Sequence, residues 1–230
     1  MNATPSTPLM NAAQAGVQMA LGGSASSAVK IFLILTALSF GSALILSLTS
    51  FTRIIIVMSF LRQAIGTPQL PPNQVLMGLS LFLSLFIMAP TATKVHKEAL
   101  GPLLDDKISV GEALERAERP LSEWMIKQTH EEDLALFYDI AGRPRPKRGE
   151  AIAFSALVPA FMVSELNTAF KMGLYVFIPM LLIDLLVGTL LMSLGMMMVP
   201  PQLIALPLKL GIFLLAGGWH LVVSSLVKSF

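Results

Sequence analysis

The chain has 230 residues, 54% of them hydrophobic and only 13% charged, with a formal net charge of +2 and a mean hydropathy of +0.73. Soluble domains carry about 25% charged residues, so this composition excludes an ordinary soluble protein and reads as an integral membrane protein. The lack of cysteine excludes disulfides, thiolate metal sites and a cysteine nucleophile.

Charge is unevenly placed along the chain. Lys94–Glu150 holds 10 of the 16 Lys and Arg residues and 12 of the 14 Asp and Glu residues. Four segments are expected: a flexible N-terminal segment (1–30), a membrane-type helical hairpin (31–93), a polar helical module (94–150) and a second membrane-type helical section (151–230). Segment 1–30 lacks the basic start and apolar core of a secretory signal. Ile31–Phe51 meets the roughly 20 residues a spanning helix needs. Apolar character then continues past Arg53 through "IIIVMSFL" to Arg62, which predicts one long tilted helix, or a helix with its end outside the hydrocarbon. "GTPQLPPNQ" predicts a turn, with Asn73 as the N-cap of the next helix. A second span from Val75 to about Ala89 completes the hairpin.

In the polar module, Ser109 with Glu112 and Thr129 with Glu132 have capping-box spacing. Leu134, Phe137, Tyr138 and Ala141 recur at helical spacing, and Leu121, Trp124 and Met125 offer a matching face. "GRPRPKRG" reads as a solvated basic linker, with an anionic-lipid contact as the rarer alternative.

Ala151–Phe230 carries Glu165, Lys171, Asp184, Lys209 and Lys228, and prolines at 159, 179, 200, 201 and 207. Two spans flanked by a shorter helix, or several broken helices, both fit. Broken helix in lipid frees backbone groups that find no water, so this section is expected to pack against protein. Glu165 and Lys171 lie about 240° apart around a helix, and Lys171 and Asp184 about 220°, so neither pair shares a face. Any ion pair must come from another helix or another subunit. Lys171 and Lys228 read as snorkelling helix-end lysines, Glu165 and Asp184 as paired acids.

"GMMMVPPQ" spans Gly195–Gln202. Three consecutive methionines cover about 200° of a helix, too wide for one stripe. Val199 is biased away from helix by Pro200. The helix is expected to loosen at Gly195 and become a loop by Met198–Pro201, with Gly195, Pro200 and Pro201 making the break. Met196, Met197 and Met198 then serve either as gap-filling and lipid contact or as a deformable apolar plug in a pore.

Chemistry is nearly absent. "HEEDL" at His130–Leu134 lacks the second histidine of a zinc-protease helix. His96, His130 and His220 show no ligand spacing. No phosphate-binding glycine loop or nucleophile elbow occurs. No catalytic residue, metal, cofactor or nucleic-acid partner is expected.

The chain resembles the FliP family of the flagellar type III export apparatus, related to the SctR proteins of injectisomes. The residues that carry the likeness are "FTRIIIVMSFLRQAIGTPQLPPNQVLMGLSLFLSLFIMAP" (Phe51–Pro90), "QTHEEDLALF" (Gln128–Phe137), "VPAFMVSELNTAF" (Val158–Phe170) and the run from Ile178 to Phe230. "MVPP" and "SLVKSF" look more flagellar than injectisome. The resemblance implies an all-α integral membrane protein of kinked helical hairpins with a small helical extramembrane module, oligomerising into a helical pore assembly. It implies partners: further copies of the chain, FliQ and FliR, other export-apparatus proteins, the bacterial inner membrane at the flagellar basal body, and unfolded flagellar subunits as cargo. It maps the family's methionine gasket onto Met196, Met197 and Met198, a subunit–subunit ion pair onto Glu165, and the lysine of "LPxKL" onto Lys209. It places 94–150 on the periplasmic side, whereas the basic run Arg143–Arg148 beside a span argues for the cytoplasm. The chain departs from the family pattern at Asn167 and Gly217. The alternatives are an injectisome gate subunit, a broken-helix secondary transporter, and a scaffold without a pore role.

Overall fold

A computed structural model describes residues 46–67, 69–146, 152–196 and 198–230. The expected segment 1–30, the start of the first span and Met197 lie outside the described residues. All regular structure among the described residues is helical.

Helix α1 is Phe51–Ile65. A turn at 48–50 precedes it, so the expected continuous helix through this point is interrupted. Its buried residues Ile54, Val57, Met58, Leu61, Ala64 and Ile65 repeat at the helical period and make one stripe. Gly66 ends it at φ 90, a left-handed conformation that glycine adopts without steric cost. Helix α2 is Asn73–Val95, longer than the expected Val75–Ala89. It runs through Pro90, then through a π-helical turn (His96–Leu100) into the short α3 (Gly101–Leu104). Asn73 is not the cap. Pro72 holds that position, and the Asn73 side chain accepts a bond from Arg62 Nη1 at 2.5 Å instead.

The polar module contains α4 (Val110–Gln128) and α5 (Glu131–Ile140). Ser109 caps α4 as expected, its Oγ accepting from the Glu112 N–H at 3.3 Å. The second capping box is not formed. His130 holds the cap position of α5, and the Thr129 hydroxyl donates back to the Met125 carbonyl at 2.8 Å. Three acids, Glu131, Glu132 and Asp133, fill α5's first turn, where the positive end of the helix dipole favours them. In the basic linker, Arg145 is bonded twice to Asp139, at 3.1 and 2.6 Å. Those bonds hold the Asp139 carboxyl below its ordinary range.

Helix α6 runs unbroken from Phe154 to Ser193 through Pro159 and Pro179. The sequence pieces expected to be separate are therefore one helix. Forty residues at 1.5 Å each make about 60 Å, roughly twice the hydrocarbon thickness of a bilayer. Two bodies line its length. Leu157 and Phe161 close a cluster with Met125 and Trp124 of the module, while Ala169 and Met180 join α1's stripe, Leu76, Phe213 and Leu226. Gly173 lets α1 approach closely, because a Cβ there would lie 2.6 Å from the Phe60 ring. Helices α7 (Gln202–Leu215) and α8 (Gly218–Lys228) meet at a 63° bend. Two described stretches are long and apolar enough to cross a membrane, Asn73–Leu104 and Phe154–Ser193, and α7 with α8 make a third if counted as one span.

Candidate functional site

The end of α6 is set by glycine chemistry. Gly195 takes φ 73; its N–H bonds the Met192 carbonyl at 3.0 Å, and the Met196 N–H bonds the Leu191 carbonyl at 2.9 Å. This doubled closure is a Schellman motif, which needs a left-handed residue at that point. So the helix stops before the methionines, and Pro200 and Pro201 act later, as the entry to α7. Between them the loop is pinned by Val199, which packs with Val187, Leu191 and Ala205. Met196 is 42% and Met198 97% exposed. Two soft apolar side chains thus project from a loop whose ends are both fixed.

Two to three helical turns from this loop, Lys209 Nζ donates to Asp184 Oδ2 at 2.6 Å and to the Ala64 carbonyl at 3.1 Å. The lysine side chain is 7% exposed and the aspartate 39%. The aspartate opens on a cavity of about 290 Å³ that Gln63 and Gln202 also line. The pair ties α6 to α7 and to the last turn of α1.

A second ionic centre lies at the other end of α6. Arg53 and Glu165 are both buried. Arg53 Nε donates to Glu165 Oε2 at 2.9 Å, and Nη2 donates to Oε1, a forked contact that only a guanidinium can make. The remaining donors are used too: Nη1 reaches the Ser229 carbonyl at 2.9 Å, and Nη2 reaches Gln128 Oε1 at 3.2 Å. Gln128 Nε2 in turn donates to the Phe230 main-chain oxygen at 3.1 Å, and the Phe230 ring lies 4.0 Å from the guanidinium carbon. Beside this centre, the Ser164 hydroxyl donates to Asp133 at 2.5 Å and accepts from the His130 N–H at 2.9 Å. One charge pair thereby joins α1, α4, α6 and the end of α8.

The structure brings Asp184 and Lys209 together and gives Glu165 a partner, Arg53, within the same chain. It does not pair Lys171, which is exposed at mid-α6 with no acid beside it among the described residues. Lys171 is therefore not a helix-end lysine, because α6 runs unbroken past it from Phe154 to Ser193; Lys228 does lie in α8's last turn. Arg53, Gln128 and Phe230 were not singled out from sequence. The available signal was Arg53 itself, a lone cation in an apolar stretch, and such groups normally have a partner. Gly217 takes φ 64 at the start of α8, and Asn167 is exposed. Among the described residues, no group of three or more His, Asp or Glu could hold a metal ion.

These features define an all-helical, membrane-type protein with two internal ion pairs and a methionine loop. The FliP family matches residues 34–226. Flagellar biosynthetic protein FliP of Bacillus subtilis is 51% identical over 205 residues, covering 89% of this chain and 93% of that one. The proteins of the same name from Pectobacterium carotovorum and Aquifex aeolicus are 52% and 47% identical, covering 91% and 90% of this chain and 81% and 88% of theirs. The chain belongs to the FliP family.

Proposed function

We propose that the chain is a core structural subunit, not an enzyme, of the flagellar type III protein export gate. Several copies assemble with FliQ and FliR in the inner membrane at the flagellar basal body, around the path of unfolded flagellar subunits. Met196, Met197 and Met198 of each copy contribute to a ring that seals the path and yields to passing chains.

The observation that carries this reading is the methionine loop. A side chain as apolar as Met198 is left 97% exposed, on a loop held at one end by the Gly195 motif and at the other by Val199 and the prolines. Exposed apolar groups of this kind mark interaction surfaces, and thioether side chains adapt their shape to what they meet. The names of the relatives support the flagellar assignment over an injectisome one. The long apolar faces of α2 and α6 support a membrane or subunit environment.

Replacing Met196, Met197 and Met198 together with alanine is expected to raise ion leakage through the assembled complex while assembly survives. Unchanged permeability sinks the seal. The periplasmic placement of the module has its own check: a cysteine at Ser122 should react with an impermeant maleimide in intact cells.

A further inference from the structure

The chain has 14 methionines and no cysteine, so thioether is its only oxidisable sulfur. The described methionines divide by their surroundings. Met58 and Met125 are wholly buried, each inside an apolar cluster. Met88 and Met180 are nearly as buried. Met198 stands at the other extreme. Almost all of it is exposed, and it belongs to none of the apolar clusters among the described residues, although its neighbour Val199 does. Met77 and Met192 are exposed too, but on helices, within apolar faces open to cover by other subunits.

Nothing that shapes the loop uses a thioether. Its entry is held by the main-chain bonds of the Gly195 motif. Its exit is held by the packing of Val199 and by the Val199 N–H, which bonds the Met196 carbonyl at 3.3 Å. An oxygen atom added to the Met198 sulfur therefore meets no packed neighbour and breaks no contact of the fold. The same oxygen on Met58 or Met125 would leave a polar group unpaired in a packed core, and an oxidant reaches such a site only when the core opens.

An exposed thioether takes an oxygen atom from a peroxide directly. The sulfur lone pair attacks one oxygen of hydrogen peroxide; the S–O bond forms as the O–O bond breaks. The departing hydroxide takes the proton of the transferred OH and leaves as water. Sulfur loses two electrons and the peroxide gains them. The product, methionine sulfoxide, is polar where the thioether was apolar, and it can be reduced back.

We propose that Met198, with Met196 beside it, is a reversible oxidation site at which a peroxide turns the apolar seal into a polar, leaking one. This rests on the seal reading above. A constriction that keeps water out by dewetting has to be apolar. One sulfoxide per copy places a ring of strong acceptors there, each unfavourable unless water hydrates it. The loop keeps its shape, because its backbone holds it, while the constriction wets. Reduction reverses the change: the sulfoxide oxygen leaves as water while two thiols join as a disulfide.

The test uses the assembled complex in vesicles, with hydrogen peroxide as the probe. Peptide mass spectrometry follows the gain of one oxygen at each methionine while ion leakage is recorded. Met198 is expected to oxidise at least about tenfold faster than Met58 and Met125, whose oxidation waits on opening of the core. Leakage should rise in step with the Met198 sulfoxide. It should fall again on adding methionine sulfoxide reductases A and B with a thiol, since each reduces one sulfoxide epimer. In Met196→Leu/Met197→Leu/Met198→Leu, which stays apolar but has no sulfur there, peroxide should leave leakage where it was. Oxidation of Met198 no faster than that of Met58 overturns the proposal. So does an equal response to peroxide in the leucine variant. The triple alanine variant separates the two readings. If it leaks but the fully oxidised complex does not, the oxidation site fails and the seal stands; if neither leaks, both fail.

Discussion

Helix α6 carries an acid near each end of its packed length, and the two are treated differently. Glu165 is sealed from solvent in a forked bond with Arg53, and every remaining donor of the guanidinium finds an acceptor or an aromatic ring. Asp184 keeps 39% of its side chain exposed, beside a polar cavity, and its partner is a lysine. A guanidinium fixes direction, because its donors are planar and rigid; an ammonium is a point charge that tolerates movement around it. The first centre therefore locks four helices in one arrangement. The second balances a buried cation near the methionine loop while leaving that neighbourhood adjustable.

Removing one partner from each centre tests this contrast, and the first should cost most. Glu165→Ala leaves a buried guanidinium uncompensated, which is expected to destabilise by about 3–5 kcal/mol. The readout is loss of folded protein and of the module's protection from protease in detergent. If Arg53→Met with Glu165→Leu recovers most of that loss, the cost lies in the orphaned charge and not in shape. Gly173→Ala falls between the two acids on the same helix. It forces a methyl group against Phe60 and should cost about 1–3 kcal/mol by overpacking, seen as a lower melting temperature. Asp184→Asn should cost only about 1 kcal/mol, because the Ala64 carbonyl and the open cavity still solvate Lys209. A loss as large as that for Glu165→Ala would erase the distinction between the centres. Ser109→Ala, remote from both, sets the baseline: loss of its cap should lower stability by about 0.5–1 kcal/mol, read as faster amide exchange in the first turn of α4.

Local chemistry was legible in the sequence. The Ser109 cap, the proline-rich turn before α2 and the helical end at Gly195 all follow from residues a few positions apart. So did the angular argument that Glu165, Lys171 and Asp184 cannot pair with one another: the partners of Glu165 and Asp184 lie on other helices, and Lys171 has none among the described residues. What the sequence hid was decided at long range. Arg53 and Glu165 are 112 positions apart, and no spacing rule reaches that far. Pro159 and Pro179 looked like breaks because a proline costs an isolated helix about 3 kcal/mol. Here, burial of Leu157, Ala160 and Phe161 around the first, and of Met180 beside the second, holds the helix together across both. The Asn73 side chain was diverted from capping by Arg62, eleven residues back across the turn.

The continuity of α6 has a mechanical consequence. A rod of about 60 Å with no hinge is a lever arm, clamped near one end by the Arg53 centre and carrying the methionine loop at its tip. Glu165 lies about 42 Å from Ser193, so tilting the rod by about 5° at the clamp sweeps its far end through roughly 4 Å. A small rocking at the clamp would therefore arrive at the methionines as a displacement comparable to the width of a side chain.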